Sequence, residues 1–343
     1  MQSSLLIIYT GGTIGMVATP GGLVPSRHFS EQLSDLINDR FPDLRFTIRC
    51  LDPLIDSAEA NPGLWNAIAQ EILLAHADFD GVVVLHGTDT LAYTASSLSF
   101  LLNGLAKPVI LTGAQIPFRA AGSDAESNIF GAILFASAPQ VREVCIFFDG
   151  RLLRGNRSLK SSTSVGDSFE SPHYAVLGSS PPGFRINEKA LLNPVRSEPA
   201  LPASYLTTGS VGLIKVYPGI SYQMLVAGAE AHPRGLVLEL YGSGTAPILN
   251  SSIRQALESL AVCKIPVVGV SQCLRGVVSR TSYASSHVLR DAGVIAGYDL
   301  TPEAAMTKLS YLQTTATPFE KLETAMWSDI SGEITTDPQN GLD

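Results

Sequence analysis

Short apolar runs uninterrupted by polar residues recur through the first half of the chain, at Leu5–Tyr9, Gly81–Leu85, Pro108–Leu111 and Val144–Phe148. Such runs read as strands buried on both faces, as in a parallel sheet covered by helices. Between them apolar residues fall at helical spacing. In NPGLWNAIAQEILLAHA, Asn61 is a candidate N-cap, Pro62 takes the first helical position, and Trp65, Ile68, Ile72 and Leu73 form one stripe. Segments 90–102 and 126–138 repeat that spacing. The alternation predicts an α/β chain whose larger N-terminal domain is a doubly wound, mostly parallel sheet. From Pro181 to Thr208 the Pro-rich spacing supports neither element and predicts a linker. Strands at Gly212–Val216, Gly235–Tyr241 and Ile265–Val270, with helices near 250–262, 284–292 and 302–313, then predict a second, smaller C-terminal α/β domain. The division expected is 1–185, a linker over 186–210, and 211–343.

Composition narrows the class of function. The 343 residues are 45% hydrophobic, enough for a large core, and carry a net charge of −8 with no Lys/Arg-rich run. A nucleic-acid or anionic-membrane partner is therefore not expected; a small-molecule substrate is. No apolar stretch approaches the ~20 residues of a membrane span, and MQSSLLIIYTGG lacks the basic start and cleavage site of a signal peptide, so a cytoplasmic protein is expected. Cys50, Cys145, Cys263 and Cys273 form no CxxC pair and are expected to be reduced thiols. Neither they nor the six histidines show ligand spacing, so no metal is expected.

In open α/β sheets ligands bind beyond the carboxyl ends of the strands, and three stretches just after strands bear chemistry. Thr10-Gly11-Gly12-Thr13 follows the first strand. Its glycines permit a sharp turn, yet it fits neither the dinucleotide fingerprint nor the P-loop and has no lysine close behind. The second is LHGTDTLAY, where Thr88 or Asp89 has the alternative role of capping the next helix. Capping alone does not require two strand ends that each deliver a threonine after glycine. The third is RGNRSLKSST, with Lys160, one of seven lysines, among small hydroxylated residues; a solvated surface lysine is the alternative. A threonine hydroxyl attacks only when a neighbour takes its proton. A lysine held by an aspartate can serve, which is acyl-transfer logic without histidine. His86 reads as a hydrogen-bonded structural residue, Cys273 as a small buried hydrophobe, and Gln115, Arg119 and Ser123 as either pocket rim or solvated loop.

TGGTIGM together with LHGTDTLAYTASSLSFLL resembles the paired signature motifs of the L-asparaginase family, the bacterial type with threonine nucleophiles. The likeness continues through KPVILTGAQIP, RGNRSLK, YPGI, YGSGTAP and DLTPEAAMTKL, and is closer to the cytoplasmic type I branch than to the secreted type II. The resemblance implies hydrolysis of L-asparagine to L-aspartate and ammonia without a cofactor. Thr13 matches the nucleophile that forms a β-aspartyl ester, and Thr88, Asp89 and Lys160 match the second catalytic group. Asp56, Ser57 and Asp89 match the grip on the substrate's α-groups, with backbone N–H groups near Thr88 and Ala114 matching the oxyanion site. It also implies a homodimer or homotetramer in which a partner's C-terminal domain closes the site. The alternatives are a glutaminase or mixed amidase, since one methylene separates the substrates, and a non-catalytic amino-acid sensor on the same scaffold.

Three positions depart from the family's pattern. Leu23 stands where a lid tyrosine is usual, Thr245 where an asparagine often reaches a neighbouring subunit, and Glu239 where an effector-binding arginine is common. An acidic side chain repels an effector carboxylate, so homotropic activation by asparagine is expected to be weak or absent.

Overall fold

The structure is a computed structural model that describes residues 3–164, 166–193, 206–249, 251–278 and 284–335. It divides into two compact units, Met1–Leu201 and Pro202–Asp343.

In chain order the strands of the first unit are β1 (Ser4–Gly11), β2 (Met16–Thr19), β3 (Gly22–Pro25), β4 (Arg45–Ile55), β5 (Gly81–Leu85), β6 (Val109–Thr112), β7 (Val144–Phe148), β8 (Arg151–Arg154), β9 (Leu159–Lys160), β10 (Phe169–Glu170), β11 (Gly178–Ser179) and β12 (Arg185–Ile186). Its helices are α1 (Phe29–Arg40), α2 (Pro62–Ala75), α3 (Leu91–Leu101) and α4 (Ala125–Ala136). Eight strands form one sheet in the order β12-β11-β8-β7-β6-β5-β1-β4. From β4 to β7 every pairing is parallel, and β8, β11 and β12 join antiparallel. Leu5, Ile7 and Tyr9 of β1 pack into a core with Leu33 and Ile37 of α1 and Ile129 and Ile133 of α4. The alternate residues Leu6 and Ile8 are equally buried. Apolar runs without alternation thus become strands covered on both faces.

Asn61 caps α2, its side chain accepting from the Gly63 N–H at 2.9 Å, and Pro62 opens the helix. The chain after Thr13 forms a hairpin, β2 paired antiparallel with β3, closed at its base by Ser26 N–H donating to Gly15 O at 3.1 Å. Of the stretch expected as linker, Ile186 pairs with Gly178 and Ala190 is buried in the first unit's core, while 194–205 lies outside the described residues.

The second unit has a parallel four-stranded sheet, β13 (Val211–Lys215), β14 (Gly235–Leu240), β15 (Val267–Ser271) and β16 (Val294–Ala296), in that order. Helices α5 (Tyr222–Ala231), α6 (Ser251–Val262), α7 (Ala284–Asp291), α8 (Pro302–Thr314) and α9 (Phe319–Trp327) accompany it. Two apolar clusters, one around Leu236 and Leu257 and one around Val237 and Leu309, cover its two faces. Among the described residues, no helix is long and apolar enough to cross a membrane.

Candidate active site

Four neighbouring parallel strands, β6, β5, β1 and β4, end side by side, and four of the sequence-picked segments follow them directly. Thr13 opens a single 3-10 turn after β1, and Asp56 and Ser57 follow β4. Thr88 and Asp89 follow β5, and Ala114 follows β6.

Glycines let these segments close on one another. Gly11 and Gly12 adopt φ of 116° and 79°, a region that L side chains avoid. A Cβ on Gly12 would lie 2.4 Å from both Cα and N of Gly87, and one on Gly87 would lie 2.5 Å from the Ser57 Oγ. The Thr13 turn is therefore stacked backbone to backbone on the Thr88 turn, and the Thr88 turn closes on the Ser57 side chain, at a spacing no alanine permits. A Cβ on Gly113 would meet His86 O at 2.3 Å, which draws the Ala114 segment into the same stack. Hydrogen bonds fix the register: Gly12 N–H donates to Ile55 O at 3.0 Å, Thr90 Oγ1 to Ser57 O at 2.8 Å, and Thr10 Oγ1 to Leu85 O at 3.1 Å.

Lys160 arrives from farther along the chain, on the two-stranded β9–β10 ribbon in which it faces Phe169. Its Nζ donates to Thr88 Oγ1 at 2.8 Å and to Asp89 Oδ1 at 2.6 Å. Residues 72 and 71 positions apart thus meet at one ammonium. The lysine is neither a solvated loop residue nor distant from the threonine: its side chain is 16% exposed, against 64% for Asp89. Among the described residues Lys160 bonds to Thr88 and Asp89 but not to Thr13, whose place beside them comes from the Gly12–Gly87 contact.

The capping alternative for Thr88 and Asp89 is not what the structure adopts. The N-cap of α3 is Thr90, with no side-chain cap bond, and Thr88 is buried. Asp56 does act as a cap, its Oδ1 accepting from Ala58 N–H at 3.1 Å, while Ser57 is buried and Ala114 fully so.

His86 is structural, as expected from its position. Nδ1 lies 2.7 Å from Gly87 O and Nε2 3.1 Å from Thr94 Oγ1, which also accepts from Trp65 Nε1 at 3.0 Å. Complete burial lowers its pKa to about 4, so the ring is neutral at pH 7. The four cysteines are free thiols, and Cys273, expected to be buried, is instead exposed in the turn after β15. No signal in the sequence singled out Asp124, whose carboxylate accepts the backbone N–H groups of Gln115 and Ile116 at 3.0–3.1 Å and shapes the loop beyond Ala114. Leu23 is 51% exposed on β3, and Glu239 lies 3.7 Å from Lys215 at the carboxyl end of β14. Thr245 pairs with Tyr241 in an isolated bridge.

Residues 4–191 match the family model described as Asparaginase, N-terminal, and residues 210–326 match Glutaminase/Asparaginase C-terminal domain. The chain is 38% identical to L-asparaginase 1 of Escherichia coli over 98% of its own length and 99% of that protein. It is 36% identical to the 60 kDa lysophospholipase of Mus musculus over 97% of its own length and 63% of that protein. The crystal structure of L-asparaginase I from Vibrio cholerae superimposes with a TM-score of 0.86 at 35% identity, covering 98% of this chain and all of that one. On matched motifs, full-length identity and shared fold, the chain belongs to the asparaginase family.

Proposed function

We propose that the protein is an L-asparaginase, hydrolysing the side-chain amide of L-asparagine to L-aspartate and ammonia through a β-aspartyl ester on Thr13. The observation that carries this reading is the Lys160 Nζ, bonded at once to the Thr88 hydroxyl and the Asp89 carboxylate beside the Thr13 turn. A buried hydroxyl, an amine and a carboxylate in contact form a proton relay, and a second hydroxyl next to them supplies the nucleophile. The names of the related proteins, L-asparaginase 1 and L-asparaginase I, support the choice of substrate.

In the first step Thr13 Oγ attacks the amide carbon, its proton passing to the Thr88–Lys160 relay with the lysine as neutral amine, and the amide oxygen becomes an oxyanion. Backbone N–H groups near Thr88 and Ala114 receive it, a contribution worth roughly 3–4 kcal/mol per donor in other hydrolases. Collapse breaks the C–N bond, the nitrogen leaves as ammonia with the proton returned to it, and the β-aspartyl ester remains. In the second step Lys160, as the neutral amine, takes a proton from water through the Thr88 hydroxyl, the resulting hydroxide attacks the ester, and Thr13 leaves as that proton is passed back to its oxygen. Asp89 holds the lysine and, with Asp56 and Ser57, grips the α-amino and α-carboxylate groups of the substrate. A homodimer or homotetramer and a cytoplasmic location belong to the same reading; light scattering of the purified protein reads the first.

Ammonia release from asparagine and from glutamine by wild type, Thr13→Ala and Lys160→Met tests the proposal. Asparagine turnover by wild type, lost in both variants, is the expected result. Preferred release from glutamine identifies a glutaminase, and binding of asparagine without ammonia release identifies a sensor, the reading that Leu23 in place of a lid tyrosine favours.

A further inference from the structure

Among the described residues Lys160 pairs with no strand of the main sheet; its backbone place is set by the β9–β10 ribbon, two pairs long there. Ser168 immediately precedes Phe169, the residue opposite Lys160, and is fully buried. Both capacities of its hydroxyl are used. It donates to Ser164 O at 2.9 Å and accepts from the Gln115 side-chain Nε2 at 2.8 Å, while its carbonyl accepts the Ser161 N–H at 2.9 Å.

The Gln115 arm is itself fixed. Its backbone N–H donates to both Asp124 oxygens at 3.0 Å, and Asn128 Nδ2 donates to Asp124 Oδ2 and to Gly113 O, each at 3.0 Å. The same loop touches the other two threonine segments, through Phe118 N–H donating to Ile14 O at 3.1 Å and through the close approach of Gly113 to His86 O. The Gln115–Ser168 bond therefore ties the lysine ribbon to a loop already registered against the segments bearing Thr13 and Thr88.

We propose that Ser168, held by Gln115, is a positioning residue that sets the place of Lys160. The proposal rests on the reading of Lys160 as part of the proton relay. Ser168 acts through the ribbon rather than on the substrate. A lysine ammonium on a flexible stem keeps two short hydrogen bonds only if its backbone is placed well, and a misplacement of about 1 Å can cost roughly 10²-fold in rate. The ribbon has a second tether, since Arg151 Nη2 donates to Asp167 Oδ1 at 2.7 Å and to Phe169 O at 3.2 Å, so losing the serine hydroxyl loosens the lysine without unfolding the chain.

The test is steady-state asparagine hydrolysis by wild type, Ser168→Ala, Ser168→Thr, Gln115→Leu, the Ser168→Ala/Gln115→Leu double variant and Lys160→Met. Ser168→Ala is expected to lower kcat about tenfold with KM within about twofold. Ser168→Thr, which keeps the hydroxyl, restores most of the rate, and the double variant is no slower than the slower single one, because both remove one bond. Gln115→Leu removes the same bond from the other side and carries the test if Ser168→Ala does not fold. Wild-type kcat in both single variants, a rise in KM matching the fall in kcat, or multiplied losses in the double variant overturn the proposal. Near-wild-type turnover by Lys160→Met instead overturns the catalytic reading beneath it.

Discussion

Two ion pairs in the first unit have the same nitrogen–oxygen distance, 2.6 Å, and opposite surroundings. Arg154 and Glu143 are each 3% exposed. Glu143 also accepts the Leu192 N–H at 2.7 Å, and Arg154 donates to Ala190 O at 2.8 Å with its guanidinium 4.1 Å from the Tyr174 ring centroid. The pair pins chain 190–192 to the sheet. At Lys160 and Asp89 the lysine is mostly covered, but the carboxylate is 64% exposed, and the third partner is a threonine hydroxyl at the strand ends. A sealed pair can only hold the fold. An open one beside a hydroxyl can exchange protons and meet a ligand. The second unit repeats the sealed kind in Lys308–Glu333, both fully buried, with Lys308 also donating to Met326 O and Ser328 O.

The comparison is broken most sharply by removing one partner from each pair. Lys160→Met is expected to lower kcat by about 10³-fold or more while shifting stability by only about 0–1 kcal/mol, because the open pair is largely solvent-screened. Ammonia release and thermal melting of the same sample check both halves. Glu143→Ala leaves the Arg154 charge buried without its carboxylate and should cost about 3–5 kcal/mol in urea unfolding, with the folded fraction retaining wild-type turnover. Replacing both members with apolar residues, Glu143→Leu with Arg154→Met, should recover much of that loss, since a buried pair is close to neutral against a hydrophobic substitute.

The second unit supplies a titrating contrast. Burial, with the Glu239 carboxylate nearby, raises the pKa of Glu303 from 4.5 to about 7, and its Oε2 is buried without a hydrogen-bond partner among the described residues. Its folded pKa exceeds its unfolded one, so the folded state holds the proton more tightly. The contribution is complete below about pH 4.5 and is lost as pH rises through about 7. Glu303→Gln mimics the protonated form and should melt higher than wild type at pH 8, by on the order of 2–3 kcal/mol, with little difference at pH 5. Smallest of all, Leu23→Thr on the exposed β3 arm should change stability by less than about 0.5 kcal/mol in a melting scan.

Much of the frame was legible in the sequence because burial on both faces leaves an unbroken apolar run, as in GVVVL of β5 and VCIFF of β7, both wholly buried. The edge strand β4 escaped that reading. Its Arg45 and Arg49 alternate with Phe46, Ile48 and Cys50, which pack on the core, so no unbroken apolar run marks it, and its pairing with β1, Leu5 opposite Phe46, reveals it. Helix α1 carries Phe29, Leu33 and Ile37 at a spacing of four, a stripe readable in principle but diluted by polar neighbours. In the site, the signal was repetition: two strand ends, each with threonine after glycine. Nothing local says that Lys160 meets Thr88 across 72 residues, because that contact comes from strand order. Ser168 was invisible for a further reason. It is one of four serines in SSTSVGDS, and only burial against Gln115 distinguishes it.

Acid-quenched wild-type enzyme, sampled during asparagine turnover and digested for peptide mass spectrometry, tests the central claim most directly. A β-aspartyl adduct on the peptide containing Thr13, formed and lost at rates compatible with turnover, is the predicted result. An adduct on the Thr88 peptide instead, or ammonia release with neither threonine ever modified, would contradict it.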